Sequence, residues 1–482
     1  MRYRIIFWAF LIILAGAMAY GSFFAYKLYS TGKKVSVIAG NPSSFVETLK
    51  SFSNDDPINL RGAEQERINI LLLGIAGKGK PGQYLTDTIM IASLDLENNR
   101  VALLSLPRDL YVEVPDTGIQ TKINSVYQYG RNSFGKDENE ASGMINDTVK
   151  EITGLEMHYF VILNFDGFEK AINDIGGINI MNERDIYDTR YPGPNYSYET
   201  FELSKGFHHL DGATALKYAR QRHGDPEGDF GRAKRQQQIM QATKSRIFSA
   251  GTMFDVFALN KLLDTLGENI QTDISTSEFA DFFELAKKLD TQNITNVVAD
   301  AWNKDSLLKV SHVQYGSVRA FVLVPRVGNY SEIKELSENI FDLDQIKRKK
   351  EEIAKENAYV AIIDRSGNPQ VAGKIKSVLQ ENLDYRNVFI LAGNNKNASA
   401  KTIAYDLTDG QKPFTLDEMA GKLPATVSYE IPNDIGKIIR DKTTDIVLVI
   451  GKDLISKYNI EEGTMDDLNK FNDEQEQDLF IK

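Results

Sequence analysis

An uncharged run from Ile5 to Tyr26 (IIFWAFLIILAGAMAYGSFFAY) divides this chain into parts that do not share one solvent. As a helix, the run is long enough to cross a hydrocarbon core of about 30 Å. Arg2 and Arg4 precede it and Lys27, Lys33 and Lys34 follow, so flanking charge alone does not orient it. A cleaved signal peptide is the competing reading, because Ala17-Met18-Ala19 has the small residues of a cleavage site. Phe23, Phe24 and Ala25 continue the apolar run past that point, which favours a retained anchor. Both readings send the body of the chain outside the cell. The expected order is a cytoplasmic tail (1–4), a single-pass transmembrane anchor (5–26) and a turn-rich stalk (27–66).

The chain as a whole has the composition of a foldable globular protein, 42% hydrophobic and 26% charged, with length for two or three domains. Zero cysteines exclude disulfides, thiolate metal sites and a cysteine nucleophile. A net charge of -11 argues against general nucleic-acid binding. Arg67–Gly74 reads as a buried strand, and Thr88–Leu94 and Arg100–Leu106 as a strand pair turning at Glu97-Asn98-Asn99. Met144–Thr153 reads as a helix and His158–Leu163 as a strand. Asp166–Ile175 reads as an amphipathic helix capped by Asp166 and stopped by Gly176-Gly177. Asn182–Tyr198, rich in Tyr, Pro, Asp and Asn, reads as a surface loop.

Gly212–Tyr218 and Phe230–Phe248 are expected helices. Ser277–Leu289 places Phe279, Phe282, Phe283, Ala286 and Leu289 on one helical face, which reads as core. Val318–Pro325 is a further strand. A charge-blocked helix at Gln345–Lys355 marks a linker (344–356). After it, Ala358–Asp364, Gln370–Leu383, Asn387–Gly393, Ser399–Asp406 and Asp445–Ile450 alternate strand and helix as a small α/β domain (357–452). The acidic tail (453–482) reads as disordered.

Between Asp211 and Gln238 the sign of the charge reverses, with Lys217, Arg220, Arg222, Arg232, Lys234 and Arg235 close together. Arg220 and Arg222 have the spacing of one face of an extended segment, and Arg232 and Gln236 that of one face of a helix. Asp229 is placed to cap that helix. Guanidinium forks gathered beside a helix N-terminus suit a multiply charged phosphate. A solvated basic helix paired with Asp225, Glu227 and Asp229 explains the same spacing.

Gly74-Ile-Ala-Gly-Lys-Gly79-Lys80 has the GxxxxGK spacing of a P-loop, but Pro81 stands where a magnesium-binding Ser or Thr is required. ATP is not an expected ligand; a backbone that approaches some other anion is compatible with these glycines. Asp87, in Thr86-Asp87-Thr88, reads either as a metal ligand or as a strand-start cap. Ser105-Leu106-Pro107-Arg108-Asp109 ends a strand, where open α/β sheets bind ligands. Lys122, Asn124 and Tyr127 form a further cluster. The histidines form no HExxH pair, neighbouring His208 and His209 point apart, and no GxSxG elbow is present.

These segments together resemble the LytR-CpsA-Psr family of cell-wall enzymes. The resemblance rests on NILLLG (69–74), TDTIM (86–90), LLSLPRDLYV (103–112), KINSVY (122–127), FDGFEKAINDIGGI (165–178) and HLDGATALKYARQRHGDPEGDFGRAKRQQQ (209–238). It implies a catalytic domain over 67–343 with a central mixed β-sheet flanked by helices. The segment YVAIIDRSGNPQVAGKIKSVLQENL (359–383) resembles the small domain that often follows.

The resemblance also implies an activity. A glycan phosphate passes from an undecaprenyl-pyrophosphate carrier to peptidoglycan, leaving a phosphodiester, at the surface of a lipid membrane. Carried over by motif, Arg108, Lys122, Arg220, Arg222, Arg232 and Gln236 hold the pyrophosphate and Asp87 binds Mg2+. Arg108, Asp109, Arg220 and Arg222 are the catalytic candidates, and Asp109 or Asp225 the candidate bases. Neither nucleic acid nor ATP is an implied partner. Leu85 stands where many members carry an arginine, and Ala76 where many carry a second metal-associated aspartate. Lys78 and Lys80 are the candidates to replace the missing charge. Hydrolysis of the same pyrophosphate, and a non-catalytic lipid- or glycan-binding scaffold, are the alternative functions.

Overall fold

The computed structural model describes residues 59–133, 138–193, 197–221, 223–247, 269–275, 278–301, 306–315, 318–391, 398–439, 443–455 and 461–462. The expected anchor at 5–26, nearly all of the stalk, Arg222 and most of the acidic tail lie outside the described residues. Among the described residues no helix is long and apolar enough to cross a membrane.

The chain divides into two compact units. The first comprises Met1–Arg108, Ile123–Asp147 and Glu156–Val298; the second comprises Asp109–Lys122, Thr148–Leu155 and Ala299–Lys482.

The first unit is built on β1 (Arg67–Ile75), β2 (Thr86–Asp95), β3 (Arg100–Leu106), β4 (Tyr159–Asn164), β5 (Ile270–Thr272) and β6 (Asp290–Val298), in the order β5-β4-β1-β2-β3-β6. The β1–β2, β2–β3 and β4–β5 pairs are antiparallel, whereas β1–β4 and β3–β6 are parallel, so the sheet is mixed as expected. Its central strands are apolar almost throughout: Ile68, Leu71, Ile89, Ile91, Leu103 and Leu104 are all buried. Burying such strands on both faces removes enough apolar area from water to dominate local stability. Gly74 is required by close approach, since a Cβ there would lie 2.9 Å from the Thr88 Cβ across the ladder.

Three helices position the functional side chains: α1 (Phe165–Asp174), α2 (Gly212–Arg220) and α3 (Gly228–Ile247). The cap of α1 is Asn164, whose Oδ1 accepts from the Gly167 amide at 2.8 Å, and not Asp166 as the sequence predicted. Asp166 instead lies inside the first turn. The start of α3 at Gly228 likewise places Asp229 within the helix and not at its cap. Asp211 caps α2 by accepting from Thr214 N.

The segment expected as a loop at Asn182–Tyr198 contains a strand. Ile186–Pro192 pairs antiparallel with Tyr198–Leu203. Ile186, Tyr191 and Phe201 are buried there against Ile178, Leu210, Tyr218 and Ile239. The alternation was masked in sequence by prolines and by Asp188, a buried carboxylate that accepts from Arg190 N at 3.0 Å. The Phe-rich helix spans Phe279–Lys288, with Phe282 edge-on to the Tyr159 ring at 4.9 Å.

The second unit contains a five-stranded sheet ordered Asn387–Leu391, Tyr359–Asp364, Ile446–Ile450, Ile403–Asp406, Thr426–Ser428. It also holds the hairpin of Leu308–Tyr315 with Val318–Pro325 and the ribbon of Tyr111–Val114 with Ile119–Lys122. The charged helix runs from Leu343 to Glu356 and belongs to this unit, where the sequence predicted a linker. Its buried Ile353 joins a core with Val327, Val360 and Leu416, so the helix is packed and is no spacer. The helix expected at Gln370–Leu383 is α-helical over Pro369–Ser377 and continues as a π-helical turn at Val378–Asn382.

Candidate functional site

Register alone brings several chain segments to one end of the first unit's sheet. Ile75 closes β1 opposite Thr86, which opens β2, and beside Asn164, which closes β4. Ile89 near the start of β2 faces Leu106 at the end of β3. The Lys80 loop, Asp87, Arg108 and the start of α1 therefore all lie at that end. The carboxyl ends of β1, β3 and β4 meet there, the kind of position where open α/β sheets hold ligands.

Asp87 is the centre of a first group. Its Oδ1 accepts from Arg108 Nη1 at 2.8 Å, and its backbone carbonyl accepts from Arg232 Nη2 at 3.1 Å. Arg108 stands where it does because Pro107 ends the β3 ladder. Arg232 is 7% exposed, and Gln236 lies one turn further along α3. Asp87, Thr88, Pro107, Arg232 and Gln236 line a crevice of about 10 Å3, room for roughly one water molecule. A diphosphate is larger, so a ligand of that size rests on the solvent side of these groups. Gln237 fixes α3 to the sheet, donating to Ser105 Oγ at 3.1 Å and to the Val297 carbonyl at 3.2 Å.

Phe165 is the centre of a second group. The Arg220 guanidinium lies 4.5 Å from the Phe165 ring centre and 5.7 Å from that of Tyr191. Lys80 Nζ lies 5.7 Å from the same Phe165 ring and 2.7 Å from Asp166 Oδ1. Burial pushes the Tyr191 hydroxyl up to about 12, with the Arg220 charge opposing the shift. Arg220 is the last residue of α2, not part of an extended segment as predicted; the extended backbone begins at Gln221. Gln236 Nε2 donates to the Ala219 carbonyl at 3.3 Å, tying α3 to the end of α2 where Arg220 stands. Of the expected cations, Arg108, Arg232 and Arg220 gather at this sheet end, in two groups and not in one pocket.

Asp225, a predicted candidate base, is a structural carboxylate. Its side chain is 3% exposed and pairs with Arg235, and Arg184 approaches to 3.5 Å. Arg235 also donates to the carbonyls of Tyr218 and Gln221, satisfying backbone acceptors left open at the end of α2. Asp109 and Lys122 belong to the second unit and pair with each other at 2.6 Å. The KIN segment contributes through its backbone as well: Asn124 N donates to the Arg108 carbonyl, and its own carbonyl accepts from Thr86 Oγ1. Tyr127 is fully buried and donates to Gln271 Oε1, so it is core.

For a metal, the fit is partial. Among the described residues no group of three Asp, Glu or His side chains is placed to hold one. Ala76 is buried and offers no ligand. A lone Asp87 carboxylate suits a magnesium ion only if substrate phosphates and water complete its shell.

Sequence reasoning missed Phe165, Tyr191 and Gln237, and also the close pair of buried His223 and Asp188, whose Nδ1 and Oδ2 are 3.4 Å apart; it named Arg235 in the basic cluster but not as a strut. Ring partners and struts lie far from their cations in the chain, and no local spacing marks them.

Comparison with known proteins finds relatives of this chain. The LytR_cpsA_psr family matches residues 23–318, more than half of the chain. The polyisoprenyl-teichoic acid–peptidoglycan teichoic acid transferase TagU of Bacillus anthracis is 28% identical over 283 residues, covering 58% of this chain and 82% of that protein. The correspondingly named TagV of Bacillus subtilis is 32% identical over 263 residues, covering 52% and 63%. The crystal structure of B. subtilis TagV aligns with a TM-score of 0.44 at 27% identity, covering 57% of this chain and 98% of that one. With the motifs, the mixed sheet and a match across most of the first unit, the chain belongs to the LytR-CpsA-Psr family.

Proposed function

We propose that this protein transfers a glycan phosphate from a polyprenyl-pyrophosphate carrier to peptidoglycan at the outer face of a membrane. The observation that carries the reading is the convergence of Arg108, Arg232, Arg220 and Lys80 on one end of the first unit's sheet. The names of its relatives, which couple a polyisoprenyl-linked polymer to peptidoglycan, support it.

In the reaction, an acceptor hydroxyl oxygen bonds to the phosphorus nearest the glycan. The bond from that phosphorus to the bridging oxygen breaks, and the bridging oxygen leaves with its electron pair on the polyprenyl phosphate. Negative charge builds on the bridging and equatorial oxygens, where fixed guanidinium forks lower the barrier most. Arg108 and Arg232 in one group and Arg220 in the other are the donors to those oxygens, with Gln236 beside them. The acceptor hydroxyl must lose its proton to a base; Asp225 is held by Arg235 and Asp109 by Lys122, so the pairing favours neither candidate over the other. Asp87 would hold Mg2+ jointly with the donor phosphates, where the ion neutralises oxygen charge.

The test is incubation of the purified protein with a polyprenyl-pyrophosphate glycan, magnesium and a peptidoglycan oligomer. A phosphodiester-linked product is the expected outcome. Free glycan phosphate instead makes the protein a hydrolase, and tight binding without turnover makes it a scaffold.

A further inference from the structure

The glycine-rich loop after β1 has a spacing that nucleotide binding does not explain, and its lysine is placed by more than chance exposure. Gly77 and Gly79 adopt φ of 95° and 81°, where L side chains are strained. The loop is closed on itself: Gly77 N donates to the Gln83 carbonyl, Lys80 N to the Gly77 carbonyl, and Gly79 N to Gln83 Oε1. This fold-back aims Lys80, but not Lys78, at the Phe165 ring that also carries Arg220. Lys78 is exposed.

Two cations share that ring, and the only carboxylate paired with either among the described residues is Asp166, whose side chain is 58% exposed. The ring faces favour both cations but do not neutralise them. One solvent-facing carboxylate against two cations leaves a net positive site open to water. A doubly charged phosphate group competes well for such a lysine, because it offers more charge and several acceptor oxygens.

We infer that Lys80 is a phosphate-contacting residue of the same site, held by Asp166 until an anionic phosphate displaces that carboxylate and joins Lys80 to Arg220. The inference rests on the diphosphate reading above and adds to it the loop lysine and its exchangeable partner.

The experiment titrates inorganic pyrophosphate into the full chain by calorimetry, for wild type and for Lys80→Ala, Lys80→Arg, Lys78→Ala and Asp166→Asn. Lys80→Ala is expected to weaken binding about tenfold, the order of one lost charge-assisted contact, and Lys80→Arg to keep most of it. Lys78→Ala should bind as wild type, and Asp166→Asn should bind more tightly. Circular dichroism checks that each variant is folded. Equal affinity of Lys80→Ala and wild type overturns the inference, as does equal loss in Lys78→Ala or a wild type that binds no pyrophosphate. Donor turnover is measured on the same samples: pyrophosphate binding that depends on Lys80 without any glycan transfer leaves the inference standing and removes the transferase reading.

Discussion

Arg108 reaches back across the end of the sheet to Asp87, Nη1 to Oδ1 at 2.8 Å, although the two are separated by the whole β2–β3 hairpin. The bond ties a residue the family resemblance assigns to phosphate to one it assigns to metal. Each therefore sets the position of the other before any ligand arrives.

Loss of Arg108 or Arg232 should act on turnover far more than on folding. Arg108→Ala and Arg232→Ala are each expected to lower kcat about a hundredfold or more, the usual consequence of removing one transition-state donor. Steady-state kinetics with the lipid-linked donor, alongside a thermal melt, checks this. Retained kcat in both variants contradicts the proposed site.

Asp87→Asn separates the two roles of that carboxylate. It keeps a side-chain oxygen for Arg108 but removes the charge that a divalent ion requires. A magnesium titration of activity should show a weakened and right-shifted response relative to wild type. Activity that ignores chelators in the wild type removes magnesium from the mechanism.

The Arg235–Asp225 pair should matter for stability. Arg235→Ala leaves Asp225, 3% exposed, without its main counter-charge and frees the carbonyls at the end of α2. Breaking a buried pair from one side costs about 3–5 kcal/mol, although the nearby Arg184 moderates it. Chemical denaturation followed by circular dichroism should show a midpoint shift of that size. A shift no larger than that of an exposed substitution shows that the strut is dispensable.

His158 is expected to make the first unit sensitive to mild acid. Burial holds its imidazole below the ordinary value, with Glu156 and Glu64 opposing the shift. Its Nδ1 accepts from the Asn69 amide at 3.0 Å, so the neutral ring is the one that fits. The folded state therefore binds this proton less readily than the unfolded chain. The contribution is complete above the unfolded pKa of about 6.5 and is lost as pH falls through the depressed folded value. Urea midpoints should fall between pH 7.5 and 5.5, and His158→Asn, which keeps an acceptor without a titrating ring, should flatten that slope.

Much of the first unit was legible because its strands carry long apolar runs and its helices carry their own stop signals. Arg100–Leu106 there, and Val318–Pro325 in the second unit, came out with the boundaries read from pattern alone. The failures have two causes. Asn164 outcompeted its neighbour Asp166 as the cap of α1, a purely local competition. Asp188 became core beside His223, and the Leu343–Glu356 helix packed through a buried isoleucine, so there contacts distant in sequence outweighed composition.

By itself, the order of residues determined the mixed α/β class, the absence of any thiol chemistry and the family, because these depend on periodicity, composition and contiguous motifs. Only the tertiary structure decided which basic residues gather at the candidate site and which serve the scaffold. Arg232 and Arg235 are three apart on one helix, yet one reaches the Asp87 carbonyl and the other closes off the end of α2. Electrostatic role depends on what lies within a few ångströms, and the fold, not the spacing, supplies those neighbours.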